Sequence, residues 1–148
     1  MMRRFIEANA IIATLDPQTL VTTETAYTDT VDVSDYERVA FVLLTGTLSA
    51  TSAVSIALQV NDETATDSTT WATTGVTAYT VTGVTDSEQA VVEIDANNMP
   101  SDKRYARALI TAAADATGGP VAVVGIGDTP RYQPVDHLDS VSTYPDLS

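Results

Sequence analysis

The stretch Ala53-Val54-Ser55-Ile56-Ala57-Leu58-Gln59-Val60-Asn61 decides the fold. Val54, Ile56, Leu58 and Val60 fall on one side of an extended chain, and Ser55, Ala57 and Gln59 on the other. A period of two is the mark of a strand with one face in a core, because successive side chains of a strand point to opposite sides. A helix would instead need apolar residues three and four apart. The stretch therefore predicts a sandwich strand. Asn61-Asp62-Glu63-Thr64 closes it and leads through Asp67-Ser68-Thr69-Thr70 to Trp71, a polar excursion expected on the surface.

Upstream, Val39-Ala40-Phe41-Val42-Leu43-Leu44 is an unbroken apolar run within Arg38 to Leu48, bounded by Gly46. Continuous apolar runs belong to strands buried on both faces, so this one is expected at the centre of the core. Before it, Thr22 to Val33 is Thr-rich and ends in the alternation Val31, Asp32, Val33. The first twenty residues read as an arm plus a first short strand at the apolar patch Ala10 to Leu15, stopped by the turn-favouring pair Asp16-Pro17. Downstream, Val76 to Val81, Gln89 to Asp95, Arg104 to Ala113 and Val121 to Ile126 repeat the strand pattern. Ala96 to Asp102 and Asp115 to Pro120 separate the later ones as loop and turn. Ala112 to Ala116 is the one stretch with helical composition, and it is too short to change the class. About eight short strands, with turn signals every ten residues or so, imply an all-β protein: a single-domain antiparallel sandwich, jelly-roll-like. The organisation expected is an N-terminal arm at 1–18, a sandwich at 19–127 and an extended tail at 128–148, where Pro130, Pro134 and Pro145 fall.

Composition narrows the function. The 148 residues carry 7 Lys and Arg against 20 Asp and Glu, a net charge of −13. Nucleic-acid binding rests on cations that displace counterions from phosphates, so no nucleic-acid role is expected. No run of some 20 apolar residues is present to span a membrane. Met1 to Ile6 resembles the start of a signal peptide, but Glu7, Asn9 and Asp16 interrupt the apolar stretch that should follow, and synthesis without such a signal is expected. With no Cys and one His, thiolate metal sites, disulfides, Cys nucleophiles and multi-histidine centres are unavailable. Neither an enzyme nor a cofactor is expected. A chain of this length buries roughly 68–70% of its extended surface on folding and needs no staples.

Asp62, Glu63 and Asp67 share a loop that offers calcium oxygen ligands, though without the EF-hand spacing. The pairs Asp86/Glu88 and Glu93/Asp95 offer two carboxyls, as glycosidases require. Surface charge accounts for both groups. His137 has Asp136 and Ser140 nearby but lacks the strained elbow that presents a nucleophilic serine. Gly125-Ile126-Gly127 lacks the third glycine and the helix of a phosphate loop.

Charge placement says more. Between Arg38 and Lys103 no cation occurs, whereas acidic residues recur throughout. The cations sit at Arg3 and Arg4 beside Phe5, at Arg38, in Lys103-Arg104-Tyr105-Ala106-Arg107, and at Arg131 beside Tyr132. Arg and Tyr are enriched at interface hot spots because each joins apolar area to directional hydrogen bonds. Arg3, Arg4, Phe5, Arg104, Tyr105, Arg107, Arg131 and Tyr132 are accordingly the partner-binding candidates, and the anionic middle is expected to face solvent.

The run Lys103 to Ile110, the turn Gly118-Gly119-Pro120, the strand Val121 to Gly125 and the segment Asp128-Thr129-Pro130-Arg131-Tyr132-Gln133-Pro134-Val135 resemble the C-terminal half of small virion proteins of tailed bacteriophages. The likeness is to the capsid decoration, or cement, proteins in particular. It implies a sandwich that binds the major capsid protein on the outside of an assembled head, often as a trimer, with arm and tail making inter-subunit contacts. A rival reading is a receptor- or polysaccharide-binding sandwich, for which Trp71 and Tyr79 are the available aromatics.

Overall fold

The structure is a computed structural model that describes residues 8–62, 71–73, 79–82, 89–113 and 119–131. Its strands, in chain order, are β1 (Asn9–Thr19), β2 (Thr25–Tyr27), β3 (Val31–Asp32), β4 (Arg38–Thr45), β5 (Ala53–Asn61), β6 (Ala72–Thr73), β7 (Tyr79–Thr82), β8 (Gln89–Asp95), β9 (Tyr105–Ala112) and β10 (Pro120–Asp128). Single 3-10 turns occupy Val33–Asp35 and Ala96–Asn98. One antiparallel sheet has the order β1-β10-β4-β8. The other runs β2-β9-β5-β6, with β3 also on β9 and β7 also on β5. Taking β2 with β3, and β6 with β7, as interrupted strands gives four strands per sheet. Apart from the hairpin that joins β5 to β6 within one sheet, successive strands lie in opposite sheets, which is jelly-roll connectivity.

The inner faces close on the residues that the period of two selects. On β5, Val54, Ile56 and Leu58 have no exposed surface and Val60 keeps 2%. Phe41 and Leu43 from β4, and Ala106, Ala108 and Ile110 from β9, meet them at 0% exposure. Each large aliphatic or aromatic side chain so placed contributes about 1.5–3 kcal/mol. Aromatics are few, so the core is mainly Val, Ile, Leu and Ala, and its backbones approach closely. A Cβ on Gly125 would lie 2.9 Å from the Ala13 Cβ and 3.1 Å from the Phe41 ring, and one on Gly127 would lie 2.4 Å from the Tyr36 ring. The Gly125-Ile126-Gly127 motif is thus a packing feature of β10.

Several expectations are corrected. Asn9–Thr19 is an edge strand paired with β10 from Asn9↔Asp128 to Thr19↔Pro120, so residues 9–18 belong to the sheet and not to a free arm. Asp16-Pro17 does not end the strand. It sits in an irregularity between Leu15 and Gln18, where an edge strand tolerates a proline that has no N–H to give. The alternation Val31, Asp32, Val33 is strand only over β3, and Val33, buried at 1%, opens a 3-10 turn. The polar excursion ends on a buried residue, Trp71 at 7% exposure, while residues 63–70 lie outside the described set.

The apolar run of β4 is not buried on both faces. Val39, Phe41 and Leu43 point inward, whereas Ala40 and Val42 are half-buried and Leu44 is 41% exposed. On that outer face the rows run across the sheet in register. Ile126 stands opposite Ala40, Val124 opposite Val42 and Ala122 opposite Leu44. Val91, 59% exposed, extends the Val42 row onto β8. Among the described elements none packs on this face.

Candidate functional site

Two of the partner-binding candidates, Arg104 and Arg131, meet at one end of the sandwich. The chain arrives there from both sheets. The turn Val33–Asp35 follows β3, the turn Ala96–Asn98 follows β8, Lys103 and Arg104 lead into β9, and Arg131 lies just past β10. Together Val33, Ser34, Ala96, Met99, Lys103, Arg104 and Arg131 line a cleft of about 210 Å³. Three of the seven cations of the chain border it.

Backbone hydrogen bonds hold the pieces together. Val33 N donates to Arg104 O at 3.0 Å, Arg104 N to Asn61 O at 2.9 Å and Arg131 N to Asp35 O at 2.9 Å. Both 3-10 turns are capped by an aspartate, which satisfies amides that the turn leaves free. Asp32 accepts from Ser34 N at 3.0 Å, and Asp95 from Asn97 N at 2.8 Å. Capping occupies Asp95, so the pair Glu93/Asp95 has a structural use.

The cations differ in how far they are engaged. Arg104 donates from Nε to Asp32 Oδ2 at 2.8 Å and from Nη2 to the same oxygen. Burial alone would raise the Asp32 carboxyl; the bonds from Arg104 and Ser34 outweigh it and hold the group below the ordinary aspartate value. Lys103 pairs with Asp102 at 3.0 Å, a bond that raises the lysine and lowers the aspartate. Arg131 is exposed and makes no ion pair among the described residues. Tyr105, half-buried, has the Arg104 guanidinium 5.4 Å from its ring centroid. The cleft lining holds three cations and no carboxylate, but Asp32 and Asp102 pair with two of them and Asp35 and Asp62 lie near enough to act on Arg104 and Lys103, so Arg131 is the cation least engaged and the one best placed to meet a carboxylate of another surface.

Arg107 is placed elsewhere. It lies on the outer face of β9 at 4% exposure, its guanidinium 4.0 Å from the Tyr27 ring and 4.2 Å from the Trp71 ring. Nε donates to Gln59 Oε1 at 3.0 Å, and one terminal nitrogen is buried without a hydrogen bond among the described residues. Burial pushes the guanidinium below its usual value, with Tyr27 opposing. Arg107 is therefore packed within the fold, whereas the sequence reading had put it among the partner-binding residues. Sequence reading missed Lys103 as a site residue, although its place in the Lys103-Arg104 cluster was the signal.

Arg3, Arg4, Phe5 and Tyr132 lie outside the described residues, as do Glu63, Asp67, Asp86, Glu88, Asp136, His137 and Ser140. Tyr79 is a β7 residue whose side chain is also outside the described set. Among the described residues no three His, Asp or Glu side chains gather as a metal site would require. No described helix is long and apolar enough to cross a membrane.

No protein-family model matches the chain, and no curated protein sequence does. Among solved structures it is similar to the PBSX exported protein XepA, with a TM-score of 0.53 and 12% identity over 100% of this chain and 46% of that one. The chain thus spans about half the length of XepA. It is also superposable, more loosely, on CBM28, a carbohydrate-binding module specific for non-crystalline cellulose (TM-score 0.46, 15% identity, 78% of this chain and 73% of that one). A third structure is a protein of Bacillus endospore appendages, a family of disulfide-linked pili (TM-score 0.42, 13% identity, 87% and 97%). At 12% identity the XepA likeness establishes a shared β-sandwich fold.

Proposed function

We propose that this chain is a non-enzymatic structural protein of a tailed-phage virion, which binds the major capsid protein on the head exterior and stabilises it. The observation that carries the reading is the convergence of Lys103, Arg104 and Arg131 on one cleft in a molecule of net charge −13. The cationic lining of that cleft, with Arg131 outside any ion pair among the described residues, is suited to docking on carboxylates of a protein surface, while the acidic charge elsewhere on the molecule keeps decorated particles apart. The sequence resemblance to decoration proteins supplies the capsid as partner. The fold shared with XepA, an exported protein, suits a role outside the cell. Residues 1–7 and 132–148 are assigned the remaining inter-subunit contacts, and many weak repeated contacts on a lattice give strength by multivalency. Sugar binding is less well supported, because Trp71 is 7% exposed with a guanidinium against its ring, which leaves little ring face for a sugar to stack on.

The test is cosedimentation with heads of the encoding phage purified without this protein. Saturation at a lattice stoichiometry is expected. The Lys103→Glu/Arg131→Glu variant should bind about tenfold or more weakly, the usual scale for reversing interface charges. Absence of binding, or binding untouched by that double reversal, overturns the proposal.

A further inference from the structure

We infer that the outer face of the four-stranded sheet is an interface between two copies of this chain, related by a two-fold axis parallel to the strands and lying between β4 and β10. The inference does not rest on the capsid reading.

The first argument is the disagreement between pattern and burial in β4. An unbroken apolar run is written for a strand covered on both sides, and the described residues cover one. Antiparallel sandwiches ordinarily turn polar residues outward, yet the central pair of strands here presents Val42 beside Val124 and Leu44 beside Ala122. Exposed apolar patches with a polar rim mark interaction sites, and Val91 continues this one onto the edge strand.

The second argument selects the occupant. At the end of the same face Arg38 and Asp128 are register partners on β4 and β10 and form an ion pair at 3.1 Å. A two-fold axis running between these strands exchanges them. Each Arg38 then stands over the partner copy's aspartate at position 128, and each Asp128 over its arginine at position 38. The same operation lays Val42 over the opposing copy of Val124. Along β4 and β10 the surface is complementary to itself in both charge and apolarity, as an isologous contact requires, while Glu93 on β8, the register partner of Ala40, lies towards the rim. Sheets stacked in this way lie about 10 Å apart with strands nearly aligned.

Size sets the strength. Four strands about 4.8 Å apart, over four rows at about 6.8 Å, present roughly 500 Å² per copy. A standard interface buries about 800 Å² per partner, so the dimer should be weak, with Kd in the tens of micromolar or above. Such a contact is formed where copies are concentrated, as on a particle.

Sedimentation velocity of the full chain, from about 1 µM to 1 mM, tests the inference. A monomer–dimer equilibrium is expected. Val91→Lys/Leu44→Lys, at positions already exposed, should weaken it about tenfold or more with an unchanged circular dichroism spectrum. Arg38→Asp alone should weaken it, and Arg38→Asp/Asp128→Arg should restore it. A monomer at every concentration, a three-copy species, or a dimer indifferent to Val91→Lys/Leu44→Lys each overturns the inference. A monomeric chain whose Val91→Lys/Leu44→Lys variant no longer binds heads also overturns it, and assigns the face to the capsid instead.

Discussion

Arg107 carries its charge at 4% exposure, and among the described residues no carboxylate pairs with it. Removing a charge from water costs several kcal/mol, so something must offset that cost. Two ring faces, at 4.0 and 4.2 Å, and the Gln59 carbonyl do so. A desolvated cation–π contact is worth about 2 kcal/mol or more. The buried nitrogen without a hydrogen bond works against the fold by about 1–3 kcal/mol. These terms nearly cancel, which yields a contrast between two substitutions. Arg107→Ala should destabilise the domain by about 2–4 kcal/mol, because it leaves a void between two rings. Arg107→Met fills the same space without a charge to desolvate and should cost under about 1 kcal/mol. Trp71 is the single tryptophan and packs on this group, so urea unfolding followed by its fluorescence reads both variants. Equal losses for Ala and Met would show that the charge itself holds the rings together.

In β10, Gly125 and Gly127 let neighbouring side chains lie against the strand backbone. The Tyr36 Cδ1, Cε1 and Cγ atoms would all come within 2.8 Å of a Cβ at position 127. A glycine in a strand ordinarily costs about 0.5–1 kcal/mol relative to alanine through its extra freedom in the unfolded chain. The sign of Gly127→Ala therefore reports whether the Tyr36 ring can move aside. Overpacking costs about 1–3 kcal/mol, so net destabilisation is expected, read as a lower urea midpoint. A raised midpoint would mean that Tyr36 swings away. Where side-chain period alone sets the outcome, the sequence is legible: the alternations in 53–61 and 89–95 coincide with β5 and β8, and that in 104–113 with β9 to within a residue at each end. What escaped it depends on distant pairing. Asp16-Pro17 is a turn by local composition, and only the partner strand β10 makes it a bulge. The cluster Tyr27, Trp71 and Arg107 is likewise assembled from β2, the residue that leads into β6, and β9, three remote parts of the chain. Arg104 could be picked out as cationic from sequence, but only the fold shows that Arg131 joins it.

At the scale of the whole molecule, the net charge of −13 opposes any contact between copies. Treated as point charges roughly 30 Å apart, two such molecules repel by several kcal/mol or more at 0.01 M salt and by less than about 1 kcal/mol at 0.15 M, where the screening length is about 8 Å. The Arg38–Asp128 contacts across the two-fold act in the opposite direction, but exposed pairs are worth about 0.2–1 kcal/mol each. Repulsion between the bodies therefore dominates the salt response, even though the contact itself contains ion pairs. Raising NaCl from about 0.02 M to 0.3 M should strengthen self-association by more than tenfold, measured by sedimentation at fixed protein concentration. The cationic cleft responds with the opposite sign, because salt screens its attraction to partner carboxylates. Binding to heads that weakens with salt while self-association strengthens would separate the two surfaces without any mutation. If both weaken together, local ion pairs outweigh net charge at both sites.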